Sequence, residues 1–350
     1  MTRALVATAL MMLSAPAWGV PAWGQVQTPA RPAPSDPVIR ISGSSTVYPI
    51  LQLAIAADQK RGRNPQARFD LKEAGTSAGL RQFCSGQLTM ANASRPISRK
   101  ELDLCAKNGV RFVELPIAFD ALTVVVNPAN TWARHISIKE LGVLWGRQAQ
   151  GVVKTWNQVN AGWPRRPIRL CGPGADSGTF DYFNKAVNGD SANSRTDVTT
   201  SEDDSVLVRC VAKDPEALGY FGYAYYASNA KQLKPLWVLG SKGLVAPSVA
   251  TVQNETYVPL SRPLFVYVND SKLRSEPQTR RFLTGFLQSG LELVRQARYV
   301  PLPSSTYRLV ESKLYRHVLG SAFGGELTPG MSLGVALQRS LEETKRPEFR

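Results

Sequence analysis

The chain has 350 residues, 43% of them hydrophobic, enough for about two domains of ordinary size with a substantial core that needs no metal to hold it. Its 42 Lys and Arg against 27 Asp and Glu leave a formal net charge of +15. The cations are scattered, without blocks or a helical stripe, which argues against nucleic acid as a partner and for a solvated basic surface that mildly attracts anions. With only His135 and His317 and no CxxC pair, neither a transition-metal site nor redox catalysis is indicated, and no cofactor is called for.

Arg3, the apolar stretch Ala4 to Leu13, Pro16 and the small-residue sites around Ala17-Trp-Gly19 and Ala22-Trp-Gly24 predict a secretion signal over residues 1–24, cleaved near Gly24 or Gln25. The stretch is too short to remain as a spanning helix, and no cysteine follows it for lipid attachment. A soluble, exported protein is expected, periplasmic or otherwise secreted. Residues 25–37, rich in Pro, Ala and polar side chains, form a flexible leader.

Strands Val38 to Ser42 and Ala67 to Lys72 flank a helix from about Val47 to Arg61, whose Val47, Ile50, Leu51, Ala54 and Ile55 share one face. A second helix follows Ser77, with Leu80 and Phe83 inward and Gly86 as its stop. Ser98 and Glu101 form the capping box of a third, which ends at Gly109. The apolar stretch Val110 to Asn127 is interrupted by Pro116, and Ser137 and Glu140 open a helix over Ile138 to Trp145, which suggests a crossing into a second lobe. Ile168 to Cys171 is a buried strand, Thr179 to Asn188 a helix stopped by Gly189, and Tyr220 to Tyr226 a packed strand and turn. Leu264 to Val268 and the helices Gln278 to Gln288 and Ser304 to Leu319 return to the first lobe.

This alternation predicts an α/β architecture of two lobes: 38–125 plus 257–320 as lobe 1, 126–256 as lobe 2 and 321–350 as a C-terminal extension. In an exported chain the four cysteines favour disulfides; nearness in sequence suggests Cys84 with Cys105 and Cys171 with Cys210, one of three connectivities.

Three junctions carry the chemistry. Ser44, Ser45 and Thr46 follow a strand and precede a helix, and Gly75-Thr-Ser-Ala-Gly79 and Asp176-Ser-Gly-Thr-Phe180 repeat the arrangement. Small hydroxyl residues and glycine at a helix start leave backbone N–H groups and the positive end of the helix dipole aimed at one spot, a grip for an oxyanion. Each segment alone is better explained by ordinary helix capping and turns; their recurrence favours the anion.

In order, Gly43-Ser-Ser-Thr-Val-Tyr-Pro49, Gly75-Thr-Ser-Ala-Gly79, Asn92-Ala-Ser-Arg-Pro-Ile97, Gly172-Pro-Gly-Ala-Asp-Ser-Gly-Thr-Phe180, Leu218-Gly-Tyr-Phe-Gly-Tyr-Ala-Tyr-Tyr226, Pro259-Leu-Ser-Arg-Pro-Leu264 and Tyr299-Val-Pro-Leu-Pro303 resemble the periplasmic phosphate-binding proteins of ABC transporters. The resemblance spans about Val38 to Leu319. It implies a two-lobed, hinged periplasmic-binding-protein fold with a mixed, mostly parallel sheet in each lobe, which closes over inorganic phosphate as a monomer and presents it to a membrane permease. On the family pattern Thr46 and the backbone of Val47, with Ser45 beside them, Thr76 and Ser77, and Ser177, Gly178 and Thr179 donate to phosphate.

The charges depart from that pattern. An Asp usually stands where this chain has Arg95, and an Arg where it has Pro173. The expectation is that Arg95 supplies the cation and that Asp176 orients its guanidinium or accepts a phosphate proton. Without the usual acceptor, the argument for rejecting sulfate weakens. Asp120 is expected to serve the hinge more than the ligand. The alternatives are a binder of another tetrahedral oxyanion (sulfate, arsenate or molybdate), a phosphate-ester hydrolase using a hydroxyl nucleophile, and an interaction protein using the basic surface. The hydrolase lacks a GxSxG elbow, a P-loop and any histidine in the hydroxyl-rich segments.

Overall fold

The computed structural model describes residues 38–331 apart from 63 and 66, together with 333–335 and 337. The expected signal and leader, and most of the last part of the C-terminal extension, lie outside the described residues. In chain order the elements are β1 (Val38–Gly43), α1 (Tyr48–Lys60), β2 (Arg68–Glu73), α2 (Thr76–Cys84), β3 (Met90–Ala93), α3 (Arg99–Lys107), β4 (Phe112–Val126), β5 (His135–Ser137), α4 (Ile138–Trp145), α5 (Trp156–Val159) and β6 (Arg169–Pro173). They continue with α6 (Gly178–Asn188), β7 (Thr199–Ser201), α7 (Asp204–Lys213), β8 (Ala217–Gly222), α8 (Tyr223–Ser228), β9 (Lys234–Pro235), β10 (Trp237–Gly240), β11 (Gly243–Val245) and α9 (Val249–Gln253). The last are β12 (Ser261–Asn269), α10 (Asp270–Ser275), α11 (Pro277–Gln288), α12 (Gly290–Gln296) and α13 (Ser304–Tyr315).

One mixed sheet runs β2-β1-β3-β12-β4-β8-β6-β7, with β9 also on β4. Its outer parts are parallel, β1 with β2 and β3 at one end and β6 with β7 and β8 at the other. Its middle is antiparallel, where β12 lies between β3 and β4 and β4 pairs β8. The chain thus has an α/β fold on one mixed sheet, whose two parallel ends are joined by an antiparallel middle.

Strand β4 joins the two ends. Its first part pairs β12 from Phe112 to Ala121 and its second pairs β8 from Leu122 to Val126. Pro116 was expected to interrupt this stretch, yet the strand is continuous. The register instead skips one residue, because Leu264 faces Ala118 while Phe265 faces Pro116. A proline lacks the N–H that a ladder needs, so the strand absorbs it in a bulge.

Two of the three hydrophobic clusters among the described residues lie on either side of that transition. One packs Ile41, Leu51, Phe83, Val113, Phe265, Phe282 and Val310; the other centres on Trp145, Trp156, Phe183 and Tyr220, with Trp145 edge-on to Phe183 and Tyr220. Both capping boxes form, Ser98 with Glu101 and Ser137 with Glu140, and Gly189 ends α6 in the left-handed region at φ 75°. The disulfides join Cys84 to Cys105 and Cys171 to Cys210. Two expectations are corrected. Tyr223 to Tyr226 lie on α8 and not in a strand and turn, and α13 stops at Tyr315, short of Leu319, with His317 at φ 52° just beyond.

Candidate functional site

The starts of α1 and α2 have a feature their sequences only hinted at. Neither has a side-chain cap: Val47 stands at the N-cap of α1 and Gly75 at that of α2. The hydroxyls beside them are therefore left to other partners. At α6 the cap is made, the Ser177 Oγ accepting from the Thr179 N–H at 3.1 Å.

The three junctions meet. Thr46 Oγ1 lies 3.3 Å from Thr179 Oγ1, and the Ser77 N–H donates to the Asp176 carbonyl at 2.8 Å. Gly178 sits so close to the start of α2 and the end of β3 that a Cβ there would lie 2.6 Å from Thr76 Oγ1 and 2.8 Å from Ser94 Oγ. Thr76 Oγ1 is 3.2 Å from Ser94 Oγ and also accepts from the Ser94 N–H. Gly75, at φ 80°, needs both its left-handed backbone and its bare Cα, since a Cβ would meet the Asp176 carbonyl oxygen at 2.7 Å.

At the centre is a cation that the sequence reading did not single out. Arg262 is 1% exposed, on β12, directly opposite Asp120 on β4. Its Nη2 donates to Asp120 Oδ2 at 3.0 Å, to Thr179 Oγ1 at 2.8 Å and to Thr46 Oγ1 at 3.4 Å, and its Nη1 donates to the Gly178 carbonyl at 3.2 Å. Asp120 also accepts from the Tyr223 N–H at 3.1 Å. Burial pushes the Asp120 carboxyl up, and Arg262 pulls it back. The only signal for Arg262 in the sequence was its place in the Pro259-Leu-Ser-Arg-Pro-Leu264 motif.

The two charged residues singled out from sequence stand elsewhere. Arg95 spends its guanidinium on Glu101 (2.8 Å from both Nη1 and Nη2), Asp181 (2.6 Å from Nε), the Ser77 hydroxyl and the Pro96 carbonyl. A fork occupied on every side by carboxylates and oxygens has no donor left for an anion, so the expectation that Arg95 supplies the ligand's cation is corrected. Asp176 does not orient that guanidinium either. It pairs with Arg81 at 2.7 Å on the exposed rim, with the Asp176 side chain 44% exposed.

The remaining candidates fall into two groups. Thr46, Thr76, Gly178 and Thr179 are brought together around Arg262 and Ser94. Ser45 turns its hydroxyl to Asp204 (3.3 Å), Ser77 binds within the Arg95 cluster, Ser177 caps its own helix, and the Val47 N–H donates to the Ser44 carbonyl at 3.2 Å. Asp120, expected to serve the hinge, is the partner of the site's cation. Among the described residues no His, Cys, Asp and Glu cluster has the make-up of a metal site. Neither histidine is at the junctions: His135 is exposed at the start of β5, and His317 pairs with Asp270.

Asp204 adds a pH-sensitive element. Burial pushes its carboxyl up to about 7, with Arg262 opposing and Asp120 and Glu73 reinforcing the rise. A carboxyl held above its unfolded value of 3.8 favours the folded state when protonated. Its cost grows as pH rises through the interval from about 4 to about 7 and is complete above it. Asp204→Asn is therefore expected to gain stability over the parent protein, with a difference in thermal midpoint larger at pH 8 than at pH 5. A difference that does not change with pH would remove the carboxyl from this role.

Fold and site together define a solute-binding protein with an oxyanion-type cleft. A family model described as a PBP superfamily domain matches residues 27–288. Protein SphX of Synechocystis sp. is 42% identical over 339 residues, covering 97% of each chain. A phosphate-binding protein PstS of Staphylococcus haemolyticus is 33% identical over 270 residues, 76% of this chain and 81% of its own. The crystal structure of a possible phosphate binding protein from Planctomyces limnophilus is 39% identical and superposes with a TM-score of 0.60, over 80% of this chain and 98% of its own. The chain belongs to the phosphate-binding proteins of the PBP superfamily and has their two-lobed α/β fold.

Proposed function

We propose that this protein captures inorganic phosphate between its two lobes and delivers it to an ABC-transporter permease, with Arg262 as the ligand's cation. The observation that carries the assignment is the buried Arg262–Asp120 pair at the meeting point of Thr46, Thr76, Ser94, Gly178 and Thr179. A multiply charged anion stripped of water needs many donors at once. Neutral hydroxyls and helix N-terminal N–H groups supply them, and one guanidinium, held by Asp120, supplies the charge.

In this reading, lobe 1 is 38–125 plus 257–320 and lobe 2 is 126–256. Thr46, Thr76, Ser94 and Arg262 then come from one wall, Gly178 and Thr179 from the other, and β4 and β12 carry the hinge. Phosphate entering between the walls exchanges weak hydroxyl–hydroxyl contacts for charge-assisted ones, so ligand favours the closed arrangement. The protein works as an exported monomer after loss of residues 1–24. Catalysis has no part in it.

The Arg95 cluster is assigned as the latch of the closed form, because Asp181 on α6 reaches it from the wall opposite to Arg95, Glu101 and Ser77. Asp181→Asn is expected to lower phosphate affinity about fivefold, the worth of one charge-assisted bond weakened. Unchanged affinity by calorimetry would leave the cluster a purely structural one. The function itself is tested by calorimetric titration with phosphate, arsenate, sulfate and molybdate. Saturable phosphate binding without release of phosphate from aryl phosphates is the expected result, and failure to bind phosphate would sink the reading.

A further inference from the structure

The small sheet β11-β10-β5 stands apart from the main one and has two unlike faces. Ile136 and Val238 point into the core, at 0% and 3% exposure. Alternation along the strands puts Trp237 and Leu239 on the other face, and the register sets His135 beside Trp237 and Leu244 opposite Leu239. Trp237 is 49% exposed and Leu239 and Leu244 are 45% exposed, the principal exposed large apolar side chains that sit side by side among the described residues.

This apolar strip has a cationic rim. Gly240 pairs with Gly243, so Lys242 stands in the two-residue tip of the β10–β11 hairpin. Lys139, in the first turn of α4, follows β5 at the same end of the sheet, because β5 and β10 run parallel. Arg134 precedes β5 at the opposite end, where its carbonyl accepts from the Trp237 N–H. Arg134, Lys139 and Lys242 are exposed and make no ion pair among the described residues. Residues 127–139 and 217–254 contain no Asp or Glu at all. The next acid along the chain, Glu140, is turned to the Ser137 cap and to Asn160.

We propose that this face is a docking surface for an anionic phospholipid membrane. A tryptophan and two leucines side by side, flanked at both ends by exposed cations that make no ion pair among the described residues, and built from chain segments without Asp or Glu, match the layered chemistry of a bilayer surface. The aromatic ring and leucines enter the interface, and the lysines and arginine meet headgroup phosphates. An acidic protein partner is the other anionic surface available, and it is absent from pure lipid vesicles. Docking of this kind holds the solute-binding protein close to the membrane where its permease works, and it leaves the junctions around Arg262 untouched.

The test is co-sedimentation of the mature protein with sucrose-loaded vesicles, of phosphatidylcholine alone or with 30% phosphatidylglycerol. Retention on the anionic vesicles, absent from the neutral ones and lost in high salt, is expected. Lys139→Gln and Lys242→Gln should each lower the partition coefficient about fivefold, and the pair Trp237→Ala with Leu239→Ser about tenfold or more. Calorimetric phosphate affinity, unchanged in every variant, confirms that each is folded. Equal retention on neutral vesicles, variants that partition like the parent, or retention only on vesicles carrying an acidic membrane protein would each overturn the proposal.

Discussion

Arg262→Met is expected to lower phosphate affinity at least a hundredfold. Among the described residues the guanidinium is the one cation hydrogen-bonded to both Thr46 and Thr179, at 3.4 Å and 2.8 Å, and it is wholly buried. Two charge-assisted bonds to an oxyanion, at roughly 1.5–3 kcal/mol each, account for a loss of that size. The same substitution strands Asp120, which is buried and faces Arg262 across the β4–β12 ladder. Breaking a buried pair from one side costs about 3–5 kcal/mol of stability, so weakened binding needs separating from weakened folding. The double variant Arg262→Met with Asp120→Leu removes the stranded charge. It should recover most of the stability, measured by urea unfolding, and none of the affinity. If the double variant binds phosphate like the parent protein, Arg262 is a structural cation and the site's charge has another source.

Gly178→Ala is expected to separate binding from stability in the opposite sense. Gly178 is the first residue of α6, where alanine is the better helix former by about 1 kcal/mol. On the folded chain alone the substitution should be neutral or stabilising. Its methyl group, however, would sit 2.6 Å from Thr76 Oγ1, 2.8 Å from Ser94 Oγ and 2.9 Å from Thr76 Cβ, all on the facing wall. The walls cannot approach as closely, and the closed form loses its donors. Phosphate affinity should fall about tenfold or more, in line with roughly 1–3 kcal/mol for forcing one methyl into a packed contact, while the thermal midpoint of the unliganded protein does not fall. A variant with intact affinity would mean that phosphate is held with the walls further apart than here.

Much of the architecture was legible because it is written in local chemistry. The capping boxes at Ser98 and Ser137 and the stop at Gly189 are consequences of a few adjacent residues, and they appear where the residues put them. Pro116 misled for the complementary reason. A proline breaks a local rule, and only the partner strand β12, which shifts register past it, shows that the strand continues. Tyr223 to Tyr226 turned helical for a related one: apolar aromatic residues support either a strand or a helix, and the packing around α8 chooses.

The hydroxyl junctions divide along the same line. Strand-to-helix turns rich in Ser, Thr and Gly identify anion-gripping segments from residue type alone, because the unpaired N–H groups at a helix start are a local property. The charges of the site are not local. Arg95 stands next to the junctions in sequence but is consumed by Glu101, three residues into the following helix, and by Asp181 from a distant one. Arg262 comes from a strand more than 200 residues after Thr46 and reaches the centre because the antiparallel register of β12 on β4 sets it across from Asp120. The sequence by itself determined the α/β order and the three hydroxyl-bearing turns. The tertiary structure alone decided which cation those turns enclose, since a guanidinium's partner is set by burial and by which strand lies opposite, and neither is encoded within reach of the residue itself.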